Sequence, residues 1–246
     1  MAAVFGLLGK SLSHSFSKDY FEKKFSELHL NDHVYKNFEI DSIEHFKALR
    51  ANETNLKGLN VTIPYKKQII PYLDNLSVEA REIGAVNCIQ FKNDKLTGHN
   101  TDHYGFRQSI KPFLEPQHER ALVLGTGGSS KAVAYALKNI GVEVYFVTSS
   151  EKKGNNYFFY SELNQIILNA FKLIVNTTPL GMCNGLPGAP QIPFEFLSSQ
   201  HLCYDLIYNP AETLFLEKSK KQGASTMNGL SMLQQQAEKS WEIWNS

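Results

Sequence analysis

Apolar positions in the first part of the chain fall into short runs that alternate with stretches of helical spacing. The runs that predict β-strands are 3–8, 34–40, 59–63, 84–91 and 95–100. The stretches whose apolar residues recur at helical spacing are about 16–28, 42–50, 65–73, 77–83 and 102–113. Strands that alternate with helices in this way predict an α/β fold with a largely parallel sheet.

A strand in the middle of the chain runs into a glycine-rich turn. The apolar run 121–124 is followed by Gly125-Thr126-Gly127-Gly128-Ser129-Ser130 and then by a helical stretch at 131–137. In dinucleotide-binding sites the first two glycines allow a tight turn and the close approach of a pyrophosphate. Ser130 occupies the position of the third glycine or alanine and is small enough for it. The turn therefore predicts a dinucleotide-binding domain.

The end of the next strand bears on the choice of cofactor. The strand 142–147 leads into Thr148, Ser149, Ser150, Glu151, Lys152 and Lys153. A site for NAD usually has an acidic residue here for the ribose hydroxyls, and Thr148 is not acidic. The two lysines favour NADP, whereas Glu151 would repel a phosphate if it pointed inward. No arginine follows Arg120, so serine hydroxyls and lysine would have to hold the 2′-phosphate.

The remaining pattern continues the same alternation. It predicts strands at 173–176 and 202–208 and helices at 161–170, 211–221 and 229–244. The segment 177–193, rich in glycine and proline, predicts a long loop of the kind that often carries function.

Polar side chains collect where the strand at 59–63 ends. Pro64 stops this strand because it has no backbone N–H to donate. Asn60, Thr62 and Lys66 would then lie near one strand end, where open α/β folds bind ligands. The alternative is an ordinary strand edge followed by two solvated lysines, Lys66 and Lys67.

Two serines and one aspartate have a structural interpretation as helix caps, and the two serines also have a functional one. Ser15 or Ser17 would cap the helix that begins beside them, or their hydroxyls would hold an anion there. Asp102 would cap the helix predicted over 102–113.

Composition narrows the class of partner. The 246 residues are 42% hydrophobic and carry a net charge of +1, so binding to nucleic acid or to a membrane surface through bulk charge is not expected. The odd number of cysteines (Cys88, Cys183 and Cys203) argues against a disulfide framework or a zinc cluster. It favours a reducing, cytoplasmic compartment.

The apolar start of the chain lacks a basic leading region, which predicts a strand rather than a signal peptide. No metal and no membrane anchor are expected.

Six short motifs follow one another along the chain. They are His14-Ser15-Phe16-Ser17, Asn60-Val61-Thr62-Ile63-Pro64-Tyr65-Lys66, Gly84-Ala85-Val86-Asn87, Asn100-Thr101-Asp102, Gly125-Thr126-Gly127-Gly128, and Gly229-Leu230-Ser231-Met232-Leu233 with Gln236. Together they resemble the motifs of the shikimate dehydrogenase family. They occur in the family's order and span nearly the whole chain. Two further segments, 176–182 and 204–210, also resemble the family.

This resemblance implies two α/β domains with a cleft between them. The substrate-binding domain would comprise residues 1–103 plus 226–246, and the Rossmann domain would comprise 104–225. The C-terminal helix would return to the first domain. The activity implied is that of an NADP-dependent oxidoreductase, which interconverts 3-dehydroshikimate and shikimate in aromatic amino-acid biosynthesis.

The resemblance also implies a role for individual residues. Lys66 would be the catalytic lysine and Asp102 its partner. The residues implied to bind substrate are Ser15, Ser17 and Tyr208 at the carboxylate, and Thr62, Asn87, Asp102 and Gln236 at the ring hydroxyls. Those implied to bind cofactor are Gly125, Thr126, Gly127, Gly128 and Ser129 at the pyrophosphate, Thr148, Ser149, Ser150, Lys152 and Lys153 at the adenosine ribose, and Leu206 and Gly229 near the nicotinamide.

Alternatives stay open at the level of sequence. The family's usual Asn-Arg-Thr after the second Rossmann strand is Thr148-Ser149-Ser150 here, so NAD remains a possible cofactor beside NADP. A quinate/shikimate dehydrogenase that works in the catabolic direction with NAD would share the motifs. A non-catalytic dinucleotide-binding sensor would share the fold. Both a monomer and a homodimer are compatible with the sequence.

Overall fold

The chain folds into two compact units. The computed structural model describes residues 2–12, 16–151, 154–183 and 185–246. Unit 1 comprises Met1–Thr101 together with Ala237–Ser246, and unit 2 comprises Asp102–Gln236. The predicted domains divide at 103/104 and at 225/226, and the units divide at 101/102 and at 236/237.

Strands and helices alternate along both units. The strands are β1 (Ala3–Gly9), β2 (His33–Glu39), β3 (Leu56–Val61), β4 (Asn75–Leu76), β5 (Cys88–Lys92), β6 (Lys95–His99), β7 (Arg120–Leu124), β8 (Glu143–Thr148), β9 (Tyr157–Phe159), β10 (Leu173–Asn176), β11 (Leu202–Asp205) and β12 (Ser225–Met227). The α-helices are α1 (Phe16–Glu27), α2 (Phe46–Asn52), α3 (Tyr65–Gln68), α4 (Val78–Ile83), α5 (Asp102–Ile110), α6 (Gly128–Lys138), α7 (Gln165–Ala170), α8 (Leu214–Lys221) and α9 (Leu230–Trp244). Single turns of 3-10 helix lie at Ile43–His45, Ile70–Tyr72, Lys111–Phe113, Tyr160–Glu162 and Phe194–Phe196.

The sheet of unit 1 is mixed rather than largely parallel. Its strand order is β2-β1-β3-β5-β6-β4, with β1 parallel to β2 and β3. Strand β5 is antiparallel to both of its neighbours. The turn that joins β5 to β6 contains Asn93 and Asp94, which have positive φ angles of 51° and 59°, as tight hairpins require. Because β1, β2 and β3 run the same way, their carboxyl ends meet at one edge of the sheet.

Strand β3 ends two residues earlier than predicted, at Val61 instead of residue 63. The carbonyl of Thr62 accepts a hydrogen bond from the backbone N–H of Tyr65 at 2.9 Å, which closes a turn. The N–H of Thr62 still donates to Leu8 of β1 at 2.9 Å. The chain therefore leaves the sheet at Thr62 and enters α3 within three residues.

An aromatic cluster joins the last helix to the sheet of unit 1. Phe21 of α1 stacks on Tyr35 of β2 with ring centroids 4.7 Å apart, and Trp244 packs against Phe21 at 5.3 Å. The indole of Trp244 donates to the carbonyl of Ile89 at 3.1 Å. A β-carbon at Gly58 would lie 2.4 Å from the Trp244 ring, so only glycine admits this packing. These contacts confirm that the C-terminal helix returns to the first part of the chain.

Unit 2 is built on a parallel sheet. Its strand order is β12-β11-β10-β7-β8-β9, and each neighbouring pair is parallel. If β7 to β12 are numbered 1 to 6 and the sheet is read from β9 to β12, the order is 3-2-1-4-5-6. This is the strand order of doubly wound dinucleotide-binding folds. The direction of winding reverses between β7 and β10. Ligands of such folds bind outside the carboxyl ends of the strands at this reversal.

Local hydrogen bonds explain where the structure departs from the predicted elements of unit 2. Strand β11 ends at Asp205 rather than at residue 208, because the carboxylate of Asp205 accepts from the N–H of Ile207 and turns the chain. Helix α8 begins at residue 214 rather than 211, because Thr213 caps it. Helix α7 begins after its cap Asn164, later than the predicted 161.

Two buried histidines make the stability of unit 2 dependent on pH. Burial lowers the pKa of both His118 and His201. The Nδ1 atom of His118 accepts from the N–H of Glu115, and His201 bonds to the carbonyl of Leu168. Glu115 favours protonation of His118, whereas Lys172 opposes protonation of His201. Burial outweighs the contacts that favour protonation, so both side chains resist taking up a proton in the folded chain.

We expect the free energy of unfolding to fall with pH below the histidine pKa of the unfolded chain, about 6.5. Above that value both states are neutral and the histidines add no pH dependence. Below it the unfolded chain takes up protons that the folded chain resists, at a cost of at most about 1.4 kcal/mol per pH unit for each histidine. Urea unfolding at about pH 7.5 and about pH 5.5 measures this difference.

The variant His118→Asn keeps an acceptor for the N–H of Glu115 and should reduce the pH-dependent loss. The exposed His29 has a φ of 55°, which asparagine also adopts, so His29→Asn is the matched control. An equal loss of stability in the wild type and both variants would contradict the role given to His118.

Candidate active site

Lys66 lies in the single turn of helix that follows β3. Its backbone carbonyl accepts a hydrogen bond from the N–H of Val86 at 2.7 Å. The neighbouring Tyr65 is buried and donates its hydroxyl to the carbonyl of Ile40. Lys66 is half-buried, whereas Lys67 is exposed. The backbone at Lys66 is thus fixed from two sides, and the two lysines have different surroundings.

Thr62 lies against the end of β1. A β-carbon at Gly9 would be 2.8 Å from Cγ2 of Thr62 and 2.6 Å from Cδ2 of Leu12, so only glycine allows this close approach. Thr62 and the end of β1 therefore share the edge where the parallel strands of unit 1 terminate.

Asn87 is bound at both ends of its side-chain amide to Thr101. Its Nδ2 donates to Thr101 Oγ1 at 2.9 Å, and its Oδ1 accepts from the N–H of Thr101 at 2.6 Å. Both residues are buried. Thr101 directly precedes Asp102, which is itself buried and begins helix α5. The flanking cap position of this helix thus falls on Thr101, not on Asp102 as the capping interpretation predicts.

Ser17 is a buried residue inside α1 and not the cap of that helix. Helix α1 begins one residue earlier, at Phe16. The Ser17 side chain is hydrogen-bonded to Tyr35. Burial raises the pKa of Tyr35 well above its ordinary value, and the bond from Ser17 opposes that rise. Ser15, the other predicted carboxylate ligand, lies outside the described residues.

The glycine turn of unit 2 leaves open space at the start of helix α6. Gly125 has a φ of +102°, and Gly127 precedes the first turn of the eleven-residue helix α6. A β-carbon at Gly127 would meet no atom within 4 Å, so there is open space beside the start of this helix, and helix starts present N–H groups that bind anions. The hydroxyl of the buried Ser130 donates to the carbonyl of Gly127 at 2.7 Å. Thr126, Gly128 and Ser129 are half-buried in the same turn.

Two threonines that the sequence analysis did not propose as site residues, Thr177 and Thr178, lie beside Gly125 at the carboxyl ends of β7 and β10. A β-carbon at Gly125 would be 3.0 Å from Oγ1 of Thr177 and 3.2 Å from Cγ2 of Thr178. Thr177 donates its hydroxyl to the carbonyl of Leu124 at 2.6 Å. The position of both residues directly after the predicted strand 173–176 is the signal that would have found them.

Thr148 ends β8 in a tight turn. Its buried hydroxyl accepts from the N–H of Ser150 at 3.2 Å and lies 3.2 Å from the Ser150 hydroxyl. Ser149 and Ser150 are exposed. The predicted ribose-binding residues therefore include one buried side chain that shapes the turn and two that face solvent. Lys152 and Lys153 lie outside the described residues.

A buried carboxylate holds the ends of β10 and β11 together. Asp205 accepts from Thr213 Oγ1 at 2.6 Å, from the N–H of Ile207 at 3.0 Å and from Asn176 Nδ2 at 3.1 Å. Burial raises the pKa of Asp205, and these donors oppose the rise. Asn176 in turn accepts from the N–H and the hydroxyl of Thr178. The sequence did not identify this network.

Gly229 packs directly on the backbone of Leu206. A β-carbon at Gly229 would lie 2.0 Å from the carbonyl oxygen of Leu206. The N–H of Gly229 also donates to the carbonyl of Ile207 at 3.1 Å. Tyr208 is half-buried, and burial raises its pKa. Leu206, Tyr208 and Gly229 are thereby brought to one region of unit 2.

Gln236 is buried where α9 crosses α5. A β-carbon at Gly105 would be 2.5 Å from the carbonyl of Met232 and 2.9 Å from the Cβ atom of Gln236. The Gln236 side chain donates to the carbonyl of Leu233 at 2.9 Å. Gln236 is the last residue of unit 2, and helix α9 continues from it into unit 1.

The described residues contain no group of three or more His, Cys, Asp or Glu side chains placed to hold a metal ion. No helix within the described ranges is long and apolar enough to span a bilayer. Cys88 and Cys203 are buried free thiols, and Cys183 is an exposed one.

Comparison with known proteins identifies relatives of the whole chain. A sequence model of the shikimate dehydrogenase substrate binding domain matches residues 7–89. A shikimate dehydrogenase (NADP(+)) of Methanosphaera stadtmanae is 35% identical over 258 aligned residues, which cover 98% of this chain and 90% of the relative.

Solved structures agree with this result. A shikimate dehydrogenase of Aquifex aeolicus has a TM-score of 0.88 at 34% identity, covering 99% of this chain and 92% of that chain. A shikimate 5-dehydrogenase of Thermus thermophilus in complex with NADP(H) and shikimate has a TM-score of 0.87 at 30% identity, and the match covers 99% of this chain and 93% of that chain.

Proposed function

The chain belongs to the shikimate dehydrogenase family, and we propose from this membership which of its residues bind substrate, bind cofactor and transfer the proton. The enzyme is an NADP-dependent oxidoreductase that interconverts 3-dehydroshikimate and shikimate. The observation that carries this function is the similarity over 98% of the chain to an NADP-dependent shikimate dehydrogenase. The reaction belongs to aromatic amino-acid biosynthesis.

Unit 2 binds the dinucleotide and unit 1 binds most of the substrate. The strand order and the open glycine turn of unit 2 support the first assignment. Gly125, Thr126, Gly127, Gly128 and Ser129 hold the pyrophosphate, and Leu206 and Gly229 adjoin the nicotinamide. Thr177 and Thr178 face the same turn and complete its wall. The edge of unit 1 where β1 and β3 end supports the second assignment.

The substrate is held by hydroxyl and amide groups and by the carboxylate of Asp102. Ser15, Ser17 and Tyr208 bind the carboxylate, and Thr62, Asn87, Asp102 and Gln236 bind the ring hydroxyls. The hydroxyl and amide groups can donate hydrogen bonds to the oxygen atoms of the substrate, and the Asp102 carboxylate accepts one from a ring hydroxyl. The buried positions of Ser17 and Asn87 keep their side chains in one orientation.

Lys66 supplies the proton to the ketone oxygen as negative charge develops there. NADPH, when bound, supplies the hydride to the carbonyl carbon. In the reverse direction Lys66 takes the proton from the shikimate hydroxyl. Asp102 orients Lys66 and the same hydroxyl by accepting hydrogen bonds. Lys66 is well placed for this role because its backbone is fixed while its side chain is only half-buried.

A panel of substrates and cofactors tests the proposed function. We expect kcat/KM to be highest with shikimate and NADP, and at least about tenfold lower when NAD replaces NADP. Ser149, Ser150 and Lys152 hold the 2′-phosphate in this proposal. A strong preference for NAD would contradict that role.

The same panel separates the rival functions. A quinate/shikimate dehydrogenase would turn over quinate as well as shikimate, because quinate carries one more hydroxyl on the carbon that bears the carboxylate. A non-catalytic sensor would bind NADP without turning over either substrate.

The free cysteines support a reducing, cytoplasmic location for the enzyme.

A further inference from the structure

A buried network of polar side chains lies behind the substrate residues of unit 1. Its members come from β2, β3, α9 and the segments that flank β5 and β6, and each is buried: Tyr35, Asn60, Asn87, Thr101 and Ser240. None of these side chains carries a charge at neutral pH. A buried polar group that loses its partner destabilises the protein, so fully bonded networks fix one arrangement of their members.

Ser240 is the junction of this network. Its hydroxyl lies 2.9 Å from Asn60 Nδ2, which donates to it, and 3.2 Å from Thr101 Oγ1. Asn60 also donates to the carbonyl of Asn87 at 3.3 Å. The last helix therefore fixes β3 and the segment before α5 at a single buried point.

The two ends of the network are residues proposed to bind substrate. At one end the hydroxyl of Tyr35 donates to Asn60 Oδ1 at 2.9 Å and is hydrogen-bonded to Ser17. At the other end the amide of Asn87 is bound twice by Thr101. The path from Ser17 to Asn87 thus runs through side chains from distant parts of the chain.

We propose that Tyr35 and Ser240 are positioning residues of the shikimate site, which hold Ser17 and Asn87 where the substrate needs them. This inference rests on the proposed function. In this proposal neither residue binds the substrate or the cofactor. Tyr35 acts through its hydrogen bonds to Ser17 and Asn60, and Ser240 acts through its hydrogen bonds to Asn60 and Thr101. Loss of either hydroxyl should therefore weaken substrate binding without affecting the pyrophosphate site in unit 2.

Steady-state kinetics of Tyr35→Phe and Ser240→Ala test the proposal. We expect the KM for shikimate to rise roughly five- to tenfold and the KM for NADP to change by less than about twofold. Because the two residues act on one network, the double variant should show less than the product of the single effects. Phenylalanine preserves the stacking of the Tyr35 ring on Phe21, so Tyr35→Phe keeps the test usable if Ser240→Ala does not fold.

Ser219→Ala is the matched control. Ser219 is as fully buried as Ser240, but its hydroxyl donates to the carbonyl of Phe215 in its own helix. This variant should leave both KM values unchanged. A lower melting temperature in Tyr35→Phe and Ser240→Ala with an unchanged KM for shikimate would overturn the proposal and leave the proposed function intact. Absence of shikimate oxidation in the wild type and in Ser219→Ala would overturn both.

Discussion

Replacing Lys66 by alanine should reduce kcat at least roughly a hundredfold, the usual scale of general acid–base catalysis. The side chain is proposed to deliver the proton that neutralises the developing alkoxide, and alanine offers neither proton nor charge. The backbone carbonyl of Lys66 keeps its hydrogen bond from the N–H of Val86 in this variant, and this bond supports the turn of helix α3. Initial rates at saturating shikimate and NADP measure kcat without a contribution from weakened substrate binding.

Lys67→Ala provides the matched control for this experiment. Lys67 follows Lys66 in the same helix but is exposed, so its removal should leave kcat within about twofold of the wild type. Near-normal turnover of Lys66→Ala at saturating substrate would show that Lys66 is not the proton donor. An equal loss in both variants would indicate a change in helix α3 rather than in the chemistry.

Replacing Gly229 by alanine should destabilise unit 2 and weaken cofactor binding together. The added β-carbon would lie 2.0 Å from the oxygen and 2.6 Å from the carbon of the Leu206 carbonyl, which are backbone atoms. Leu206 has little freedom to move, because its N–H donates to the carbonyl of Asn176 at 3.0 Å. Overpacking of this kind costs about 1–3 kcal/mol or more. The melting temperature should therefore fall by roughly 5–10 °C, and the KM for NADP should rise.

Gly127→Ala is the control that separates packing from cofactor binding. A β-carbon there meets nothing within 4 Å, and the backbone is extended with a φ of −75°. This variant should have the melting temperature of the wild type. Its KM for NADP should rise, because the added methyl group enters the proposed pyrophosphate site. An unchanged melting temperature in Gly229→Ala would contradict the close packing on Leu206.

The parts of the fold that depend on local chemistry were predictable from the sequence. The strand 173–176 and the glycine turn after residue 124 follow from patterns within a few residues of each other. The hairpin at Asn93 and Asp94 is of the same kind, because both residues adopt positive φ angles readily. Each of these features is decided by its own neighbours along the chain.

Features that depend on distant partners were not predictable. The residues of β4, β9 and β12 form strands of only two or three residues, too short for a periodic pattern. Ser17 suited a helix cap by residue type, but its partner is Tyr35 on β2. Likewise, the role of Asp205 arises from Asn176 and Thr213, which only the folded sheet brings to it.

The crystal structure of the complex with shikimate and NADP tests the central claim most directly. We expect Lys66 Nζ and the Asp102 carboxylate to lie about 2.6–3.2 Å from the same substrate hydroxyl, with the carboxylate of shikimate at Ser17. A complex in which Lys66 lies beyond hydrogen-bond reach of every substrate oxygen would contradict the account.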